Sequence, residues 1–141
     1  MNEIVHATCV ARNGRAILIG GRSGSGKSDL ALRLIDRGAM LVSDDYTVVT
    51  PVGDRLLASA PTNIQGKMEV RGVGILDYET VTDIQVCLFV SLDGDIDRLP
   101  AAHSSVTVAG VPVPLVNVNS LEASAPLKVE AALDRFGLTL P

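Results

Sequence analysis

The chain has 141 residues, a formal net charge of −4 at pH 7 and a sequence pI near 5.0, which fits one globular domain. The acidic balance and the lack of a Lys/Arg run exclude the basic surface that nucleic-acid binding requires. No apolar run reaches the roughly 18 residues of a membrane span and no N-terminal signal pattern occurs, so we expect a cytoplasmic protein that contacts no membrane.

The first part of the chain predicts a strand–helix–strand unit. Its elements are a strand at Ile4–Val10, a turn at Arg12–Arg15, a buried strand at Ala16–Gly20, a helix at Ser28–Arg37 and a second buried strand at Met40–Ser43. Leu30, Ala31, Leu34 and Ile35 recur at helical spacing, and Gly38 follows as a stop signal. Such a βαβ unit implies parallel strands joined by a right-handed crossover.

After Asp45 the pattern changes to short strands and hairpins. Strands are predicted at Tyr46–Thr50, Arg55–Ala60, Val86–Leu92, Ser105–Val108 and Val111–Val118, and an amphipathic helix at Leu127–Phe136, with Ser124 as its N-cap. Pro61–Gly74 is rich in Gly, Asn and Gln and predicts a long functional loop. Asp93–His103 predicts a polar loop, in which His103 is interpreted as structural.

The two cysteines, Cys9 and Cys87, lie far apart and have no Cys or His companions at metal-ligand spacing. This pattern predicts reduced core residues, with a metal or redox role as the alternative.

A phosphate-binding pattern lies between the predicted strand at Ala16–Gly20 and the helix. Gly21-Arg22-Ser23-Gly24-Ser25-Gly26-Lys27-Ser28 matches the P-loop pattern GxxxxGK[ST] in full. Glycines permit the tight path that turns several N–H groups inward, and the helix presents its positive end to the anion. Lys27 is expected to reach the β- and γ-phosphates, and the Ser28 hydroxyl to bind Mg²⁺. The segment therefore predicts a nucleoside triphosphate site, with a chance glycine-rich turn as the alternative.

Two carboxylates, Asp44 and Asp45, close the strand that follows the P-loop helix. Parallel strands of a βαβ unit end at the same edge of the sheet, so the pair is expected beside the bound phosphates. One carboxylate could hold Mg²⁺ while the other accepts a proton from an attacking hydroxyl. The alternative is a solvated turn or a helix cap.

A second unusual stretch, Met68–Asp77, carries two glycines around Val73 beside Glu69 and Arg71. Composition alone predicts a turn between strands. Glu69 could be a magnesium ligand, directly or through water, and Arg71 could hold a phosphoryl group during transfer.

At these residues the chain resembles the catalytic domain of the HPr kinase/phosphorylase family. The family's P-loop GDSGxGKS resembles Gly21–Ser28, its Asp pair after an apolar strand resembles Leu41–Asp45, and its signature EIRGxGIID resembles Glu69–Asp77. A family histidine upstream of the P-loop matches His6, and an arginine in a YDRLG-like segment matches Arg98. The resemblance extends from His6 to about Arg98 and fades beyond it.

The resemblance implies a serine kinase, dependent on ATP and Mg²⁺, that phosphorylates HPr or a related phosphocarrier of the sugar phosphotransferase system and so regulates carbon metabolism. It also implies phosphorolysis of that phosphoserine by inorganic phosphate, which yields pyrophosphate. A homo-oligomer is expected, typically a hexamer, and the chain is similar to short forms with the catalytic domain only. The expected catalytic residues are His6, Lys27, Asp44, Asp45, Arg71 and Arg98, and the expected Mg²⁺ ligands are Ser28 and Glu69.

The chain departs from the family pattern at two places. The family's second P-loop residue is acidic, whereas here it is Arg22. A late PVRPGRN-like stretch, which the family uses in phosphorolysis, is replaced by Val113–Asn119, which contains no arginine. The missing arginines of the late stretch predict a better kinase than phosphorylase.

The fold we predict is α/β: one P-loop kinase domain over residues 1–141, in which a mixed, partly parallel sheet carries the P-loop helix on one face and further antiparallel hairpins. The resemblance implies the phosphoenolpyruvate-carboxykinase-like variety of P-loop fold. Two functional alternatives stay open, a kinase of a small metabolite and a non-catalytic ATP-binding regulatory module. The Asp pair argues against the second, because a sensor needs no base.

Overall fold

The structure is a computed structural model that describes residues 2–100 and 104–141, so His103 lies outside the described residues. The strands are β1 (Glu3–Val5), β2 (Ala7–Arg12), β3 (Arg15–Gly20), β4 (Met40–Ser43), β5 (Thr47–Val52), β6 (Arg55–Ser59), β7 (Lys67–Val70), β8 (Gly74–Asp77), β9 (Ile84–Ser91), β10 (Ser105–Val108) and β11 (Val111–Asn117). The helices are α1 (Lys27–Asp36) and α2 (Ala125–Phe136), with a short 3-10 turn at Thr62–Ile64.

All of these strands except β7 and β8 form one mixed sheet. β9 pairs in parallel with both β3 and β11, while β2 runs antiparallel between β3 and β4. β3 and β4 are therefore parallel, as the βαβ pattern predicts, but they are not neighbours. The carboxyl ends of β3, β4, β9 and β11 meet at one edge, where ligands bind in open α/β sheets. Below, this is called the carboxyl edge.

Both helices pack on the same face of the sheet. Leu30 and Leu34 of α1 and Leu133 of α2 share a core cluster with Ile17 and Ile19 of β3. The alternate residues of the central strands pack on the opposite side, in a second cluster that includes Cys9, Leu18, Val49, Leu56 and Ala58. Successive strand residues point to opposite faces, so strands covered on both faces must be apolar throughout. The predicted mixed α/β fold is confirmed at this level.

The predicted strand at Ile4–Val10 is interrupted. β1 pairs with β5, whereas β2 pairs with β3 and β4, so the chain changes partner and bends at His6. The hydrophobicity pattern cannot show such a change of pairing partner, because β1 and β2 are both extended.

The predicted loop at Pro61–Gly74 is largely wrong. It contains the 3-10 turn, β7 and the turn into β8, and β7 pairs antiparallel with β8. The buried side chain of Met68 anchors this hairpin in the core of the α1 face. Its glycines lie at Gly66, Gly72 and Gly74, all with positive φ, so they shape the hairpin ends and are not signs of a long loop.

Helix α2 begins after Ser124, as predicted, but the Ser124 side chain makes no capping hydrogen bond.

Neither described helix combines the length and the apolar character that crossing a bilayer demands.

Candidate active site

The P-loop joins β3 to α1 at the carboxyl edge. Gly24 and Gly26 have φ angles of +81° and +98°, which residues with a side chain rarely adopt. Nζ of Lys27 donates hydrogen bonds to the carbonyl oxygens of Gly21, over 3.0 Å, and of Arg22, over 3.1 Å. The lysine thus folds back along the loop, with its charge held against the loop's own backbone.

Asp44 is a buried carboxylate that accepts three hydrogen bonds. Its Oδ1 accepts hydrogen bonds from Oγ of Ser28 over 2.5 Å and from Oγ1 of Thr8 over 3.2 Å. Its Oδ2 accepts one from the backbone N–H of Glu69 over 3.2 Å. Three hydrogen bonds therefore hold the Asp44 carboxylate directly beside the P-loop hydroxyl.

Asp45 differs from Asp44 in its exposure to solvent and in its hydrogen-bond partner. Its side chain is half exposed, and its Oδ1 lies 2.8 Å from Nε2 of His6. The His6 ring in turn stacks on Tyr46, with centroids 5.1 Å apart. The φ angle of Asp45 is +68°, a left-handed conformation that aspartate adopts more readily than most residues with a side chain. The geometry thus presents one accessible carboxylate whose partner, an imidazole, is held in place by an aromatic ring.

Thr8 is the residue that the sequence interpretation missed. Its fully buried hydroxyl donates to Asp44 and also accepts the backbone N–H of Asp45, over 3.0 Å. One hydroxyl therefore fixes the relative positions of both carboxylates. Its only signal in the sequence is a polar residue inside an apolar strand, two positions after His6.

The remaining predicted residues divide into two groups. Glu69 lies beside Asp44 through its backbone contact, on the exposed side of β7. Arg71 is exposed in the turn between β7 and β8, and Arg98 is exposed in the stretch after β9. Within the described ranges, neither guanidinium contacts the cluster formed by His6, Asp44 and Asp45. Of the predicted residues, Ser28 thus contacts Asp44 and His6 contacts Asp45, while Lys27 lies along the neighbouring P-loop backbone. Both arginines lie at the surface.

Arg22 is tied to a residue that the sequence interpretation also missed. Its backbone N–H donates to Oδ2 of Asp93 over 2.7 Å, and its Nε lies 3.8 Å from Oδ1 of the same carboxylate. Asp93 follows β9, the strand next to β3, so the carboxyl edge brings it to the P-loop. The positive side chain at this atypical P-loop position therefore has an acidic partner 71 residues away.

The site combines a phosphate-binding loop with two carboxylates that differ in their surroundings. Lys27 and the N-terminal end of α1 favour phosphate groups. Asp44, buried beside the Ser28 hydroxyl, suits a magnesium-binding role, since Mg²⁺ prefers oxygen ligands. Asp45, exposed and paired with His6, suits proton transfer from an incoming hydroxyl. No group of three or more His, Cys, Asp or Glu side chains is arranged for metal binding among residues 2–100 and 104–141.

Comparison with known proteins agrees with this arrangement. The family model for the HPr Serine kinase C-terminal domain matches residues 1–136. The HPr kinase/phosphorylase of Chloroherpeton thalassium is 38% identical over 126 residues, covering 80% of this chain and 37% of that protein. The protein of the same name from Cupriavidus necator is 37% identical over 117 residues, covering 74% of this chain and 36% of that protein.

A solved structure is also similar. The Hpr(Ser) kinase/phosphatase from Coxiella burnetii has a TM-score of 0.81 and 27% sequence identity, and the match covers 94% of this chain and 88% of that one. The chain spans about two fifths of the length of the curated relatives it matches.

Proposed function

The chain belongs to the HPr serine kinase C-terminal domain family, and on that premise we propose that it transfers the γ-phosphoryl group of ATP to a serine of HPr or of a related phosphocarrier. The observation that carries the proposal is the difference in burial and in hydrogen-bond partners between Asp44 and Asp45. Asp44 is buried against Ser28 of the P-loop, while Asp45 is exposed and hydrogen-bonded to His6. A nucleotide-binding module needs the first arrangement, and only a phosphotransfer enzyme needs the second as well.

In the proposed reaction, the triphosphate lies in the P-loop with Lys27 against its β- and γ-phosphates. Asp45 accepts the proton of the substrate serine as its hydroxyl oxygen attacks the γ-phosphorus in line with the leaving group. The contact with Nε2 of His6 orients the carboxylate. Arg71, in the turn between β7 and β8, and Arg98, which follows β9, are both exposed at the surface, and we assign to them the positive charge that contacts the transferring group.

Mg²⁺ fits this donor set. The Ser28 hydroxyl and the Glu69 carboxylate are hard oxygen ligands. Asp44, which accepts hydrogen bonds from Oγ of Ser28 and from the backbone N–H of Glu69, offers a second anionic group. Few protein ligands suffice, because Mg²⁺ bound to a nucleotide also takes phosphate oxygens and water. When bound, the ion neutralises charge that develops on the phosphate oxygens.

The wider proposal follows the family. We infer that residues 1–141 act as one catalytic domain with a P-loop fold of the phosphoenolpyruvate-carboxykinase-like variety, in a cytoplasmic homo-oligomer, by family resemblance a hexamer. The expected partners are a phosphocarrier of the phosphotransferase system and ATP, with inorganic phosphate and pyrophosphate as reactants of the reverse reaction.

A phosphotransfer screen tests the proposal. The protein is incubated with γ-labelled ATP, Mg²⁺ and purified phosphocarriers, and the labelled residue is mapped. We expect label on one serine of an HPr-type carrier and none on the carrier with that serine changed to alanine. Transfer only to free small alcohols would favour a metabolite kinase, and tight ATP binding without transfer to any acceptor would favour a regulatory module.

A further inference from the structure

A groove opens on the side of the P-loop away from the Asp pair. Along the carboxyl edge, residues 118–121 follow β11, residues 92–96 follow β9, the P-loop follows β3, and Asp44 follows β4. Residues 92–96 and 118–121 form the two walls of the groove, and Arg22, Gly24 and Ser25 form its floor. The phosphate cradle is thus flanked by the carboxylates on one side and by this groove on the other.

The groove is large enough for a small molecule. Its volume is about 380 Å³, and small-molecule sites have volumes of roughly 300–1,000 Å³. Such sites combine apolar surface with a few placed polar groups. Here Ile96 and Leu121 line opposite walls, although their side chains are 55% and 90% exposed to solvent. A ligand that covered these two side chains would remove apolar area from water, which is favourable.

The wall after β11 is held firmly against the P-loop. Oγ of Ser120 donates to the carbonyl of Ser25 over 2.7 Å, and a Cβ at Gly26 would lie only 2.7 Å from that hydroxyl. Arg33 of α1 donates to the carbonyl oxygens of Ser120, over 2.5 Å, and Glu122, over 3.1 Å. The P-loop helix therefore fixes the groove wall in the same structural unit as the phosphate cradle.

The wall after β9 is tied to its surroundings as well. Asp93 accepts the N–H of Arg22, as described above, and a Cβ at Gly94 would lie 1.9 Å from Oδ1 of Asn117. A side chain at Gly94 would therefore displace either the Asn117 side chain or this wall. Both walls are thus built by close contacts with the P-loop and β11.

The charge of the groove decides which part of a nucleotide it suits. Arg22 and Asp93 pair with each other at its mouth, so they add no net charge. A further phosphate would meet the Asp93 carboxylate, whereas a neutral sugar or base would meet hydrogen-bond acceptors such as Asp93 and Asn119 together with apolar surface. The groove is therefore suited to the uncharged end of the ligand whose charged end lies in the P-loop.

We propose that this groove binds the ribose and base of the nucleoside triphosphate, with the base between Ile96 and Leu121. This inference rests on the proposed function for the direction of the phosphate chain. The γ-phosphate then points toward Asp45 and the protein substrate, while the nucleoside extends away from them, so both substrates reach the reaction centre from opposite sides.

The test compares ATP with inorganic tripolyphosphate, which carries the same phosphates without the nucleoside. Binding of each to the protein in the presence of Mg²⁺ is measured by calorimetry for the wild type, for the double variant Ile96→Ala/Leu121→Ala and for the control Val52→Ala, an exposed apolar residue in β5. We expect the wild type to bind ATP at least about 10-fold more tightly than tripolyphosphate, and the double variant to lose most of that preference while its tripolyphosphate affinity stays within about twofold.

Other outcomes separate the two ideas. Equal affinity of the wild type for both ligands, or an unchanged ATP preference in the double variant, would overturn the groove assignment and leave the P-loop and phosphotransfer untouched. Normal nucleotide discrimination without phosphoryl transfer to any carrier would overturn the proposed function alone. A protein that binds neither ligand would refute both. Since both substituted residues are exposed, loss of folding is not expected, and the melting temperatures of the three proteins check this.

Discussion

Oγ of Ser28 donates a hydrogen bond to Oδ1 of Asp44 over 2.5 Å, although the two residues are 16 positions apart and belong to different elements. Ser28 stands in the first turn of α1, and Asp44 directly follows β4. The contact exists because the P-loop helix returns the chain to a strand parallel with β3, so that both residues arrive at the carboxyl edge. It distinguishes Asp44 from Asp45, which the sequence could not do, and the predictions for the Asp pair depend on it.

Replacement of Lys27 by alanine is expected to abolish phosphotransfer and to weaken ATP binding. Its ammonium group lies along the P-loop backbone, where it can pass to the phosphates, and no other lysine lies in this loop. ATP affinity by calorimetry and transfer of labelled phosphate give the two readouts. Arg55→Ala, which removes a positive charge from an exposed position in β6, serves as the control and is expected to behave as wild type. Turnover at the wild-type rate in Lys27→Ala would refute the whole assignment.

Asp45→Asn is expected to lower the rate of phosphoryl transfer by at least about 100-fold while ATP binding is retained. An amide cannot accept the serine proton, but it keeps the size of the side chain. The rate is measured under single-turnover conditions with saturating ATP, beside Asp54→Asn, which removes a carboxylate from the exposed β5–β6 turn.

Asp44→Asn is expected to act differently, by raising the Mg²⁺ concentration needed for half-maximal activity. Its carboxylate is buried against Ser28, whereas the carboxylate of Asp45 is exposed. Titration of activity with Mg²⁺ separates this effect from that of Asp45→Asn. If the two variants show the same loss at every Mg²⁺ concentration, the division of roles between the carboxylates is wrong.

Thr8→Val is expected to reduce both stability and transfer. The substitution keeps the shape of the side chain but removes the hydroxyl that contacts Asp44 and the N–H of Asp45. Loss of a buried hydrogen-bonding group costs about 1–3 kcal/mol of the free energy of unfolding. Urea unfolding and kcat are measured together.

A matched control for this variant is Thr47→Val. Thr47 is also fully buried, and its hydroxyl donates to the carbonyl of Ala7 over 2.8 Å and to neither carboxylate of the Asp pair. We expect Thr47→Val to lose comparable stability and to keep the wild-type kcat. If Thr8→Val also keeps the wild-type kcat, Thr8 only stabilises the fold.

Both cysteines are expected to be unreactive in the folded protein. Burial raises the pKa of the Cys9 thiol far above its ordinary value, and burial likewise raises the pKa of Cys87 despite the opposing effect of Arg15. The thiolate is the reactive form, so neither group should react with a disulfide reagent at pH 8. Spectrophotometric titration should count two thiols after denaturation and none before it. Rapid modification of the native protein would contradict the predicted core role.

The kinase reaction is expected to exceed phosphorolysis. Placing inorganic phosphate against a phosphoserine requires additional positive groups, and arginine binds phosphate with two parallel hydrogen bonds. The stretch Val113–Asn119, which lies mostly in β11, contains none. Release of pyrophosphate from the serine-phosphorylated carrier in millimolar phosphate is compared with the forward rate. A phosphorolysis rate equal to the kinase rate or above it would show that the missing arginines do not limit the reverse reaction.

The sequence alone was sufficient for the local elements whose signals are strong. The P-loop pattern, the helix after it and the apolar strands at Ala16–Gly20 and Met40–Ser43 were predictable, because burial on both faces and helical spacing leave a direct mark on composition. The family was also recognisable, since its three motifs occur in order. The hairpin of β7 and β8 was predicted only in part. The composition of Met68–Asp77 indicated a turn between strands, but β7 was also assigned to the long loop at Pro61–Gly74, because the glycines and polar residues there resemble those of a loop.

Only the tertiary structure decided how the site residues divide. His6 and Asp45 are 39 positions apart, and Thr8 and Asp44 are 36 apart, so no periodicity links them. Their contacts arise because β2 runs antiparallel between β3 and β4 and begins at the edge where β4 ends. Burial then makes Asp44 and Asp45 chemically unequal, although the sequence presents them as identical neighbours. Pairing order and burial are properties of the assembled sheet, and for this reason the composition of a single segment cannot contain them.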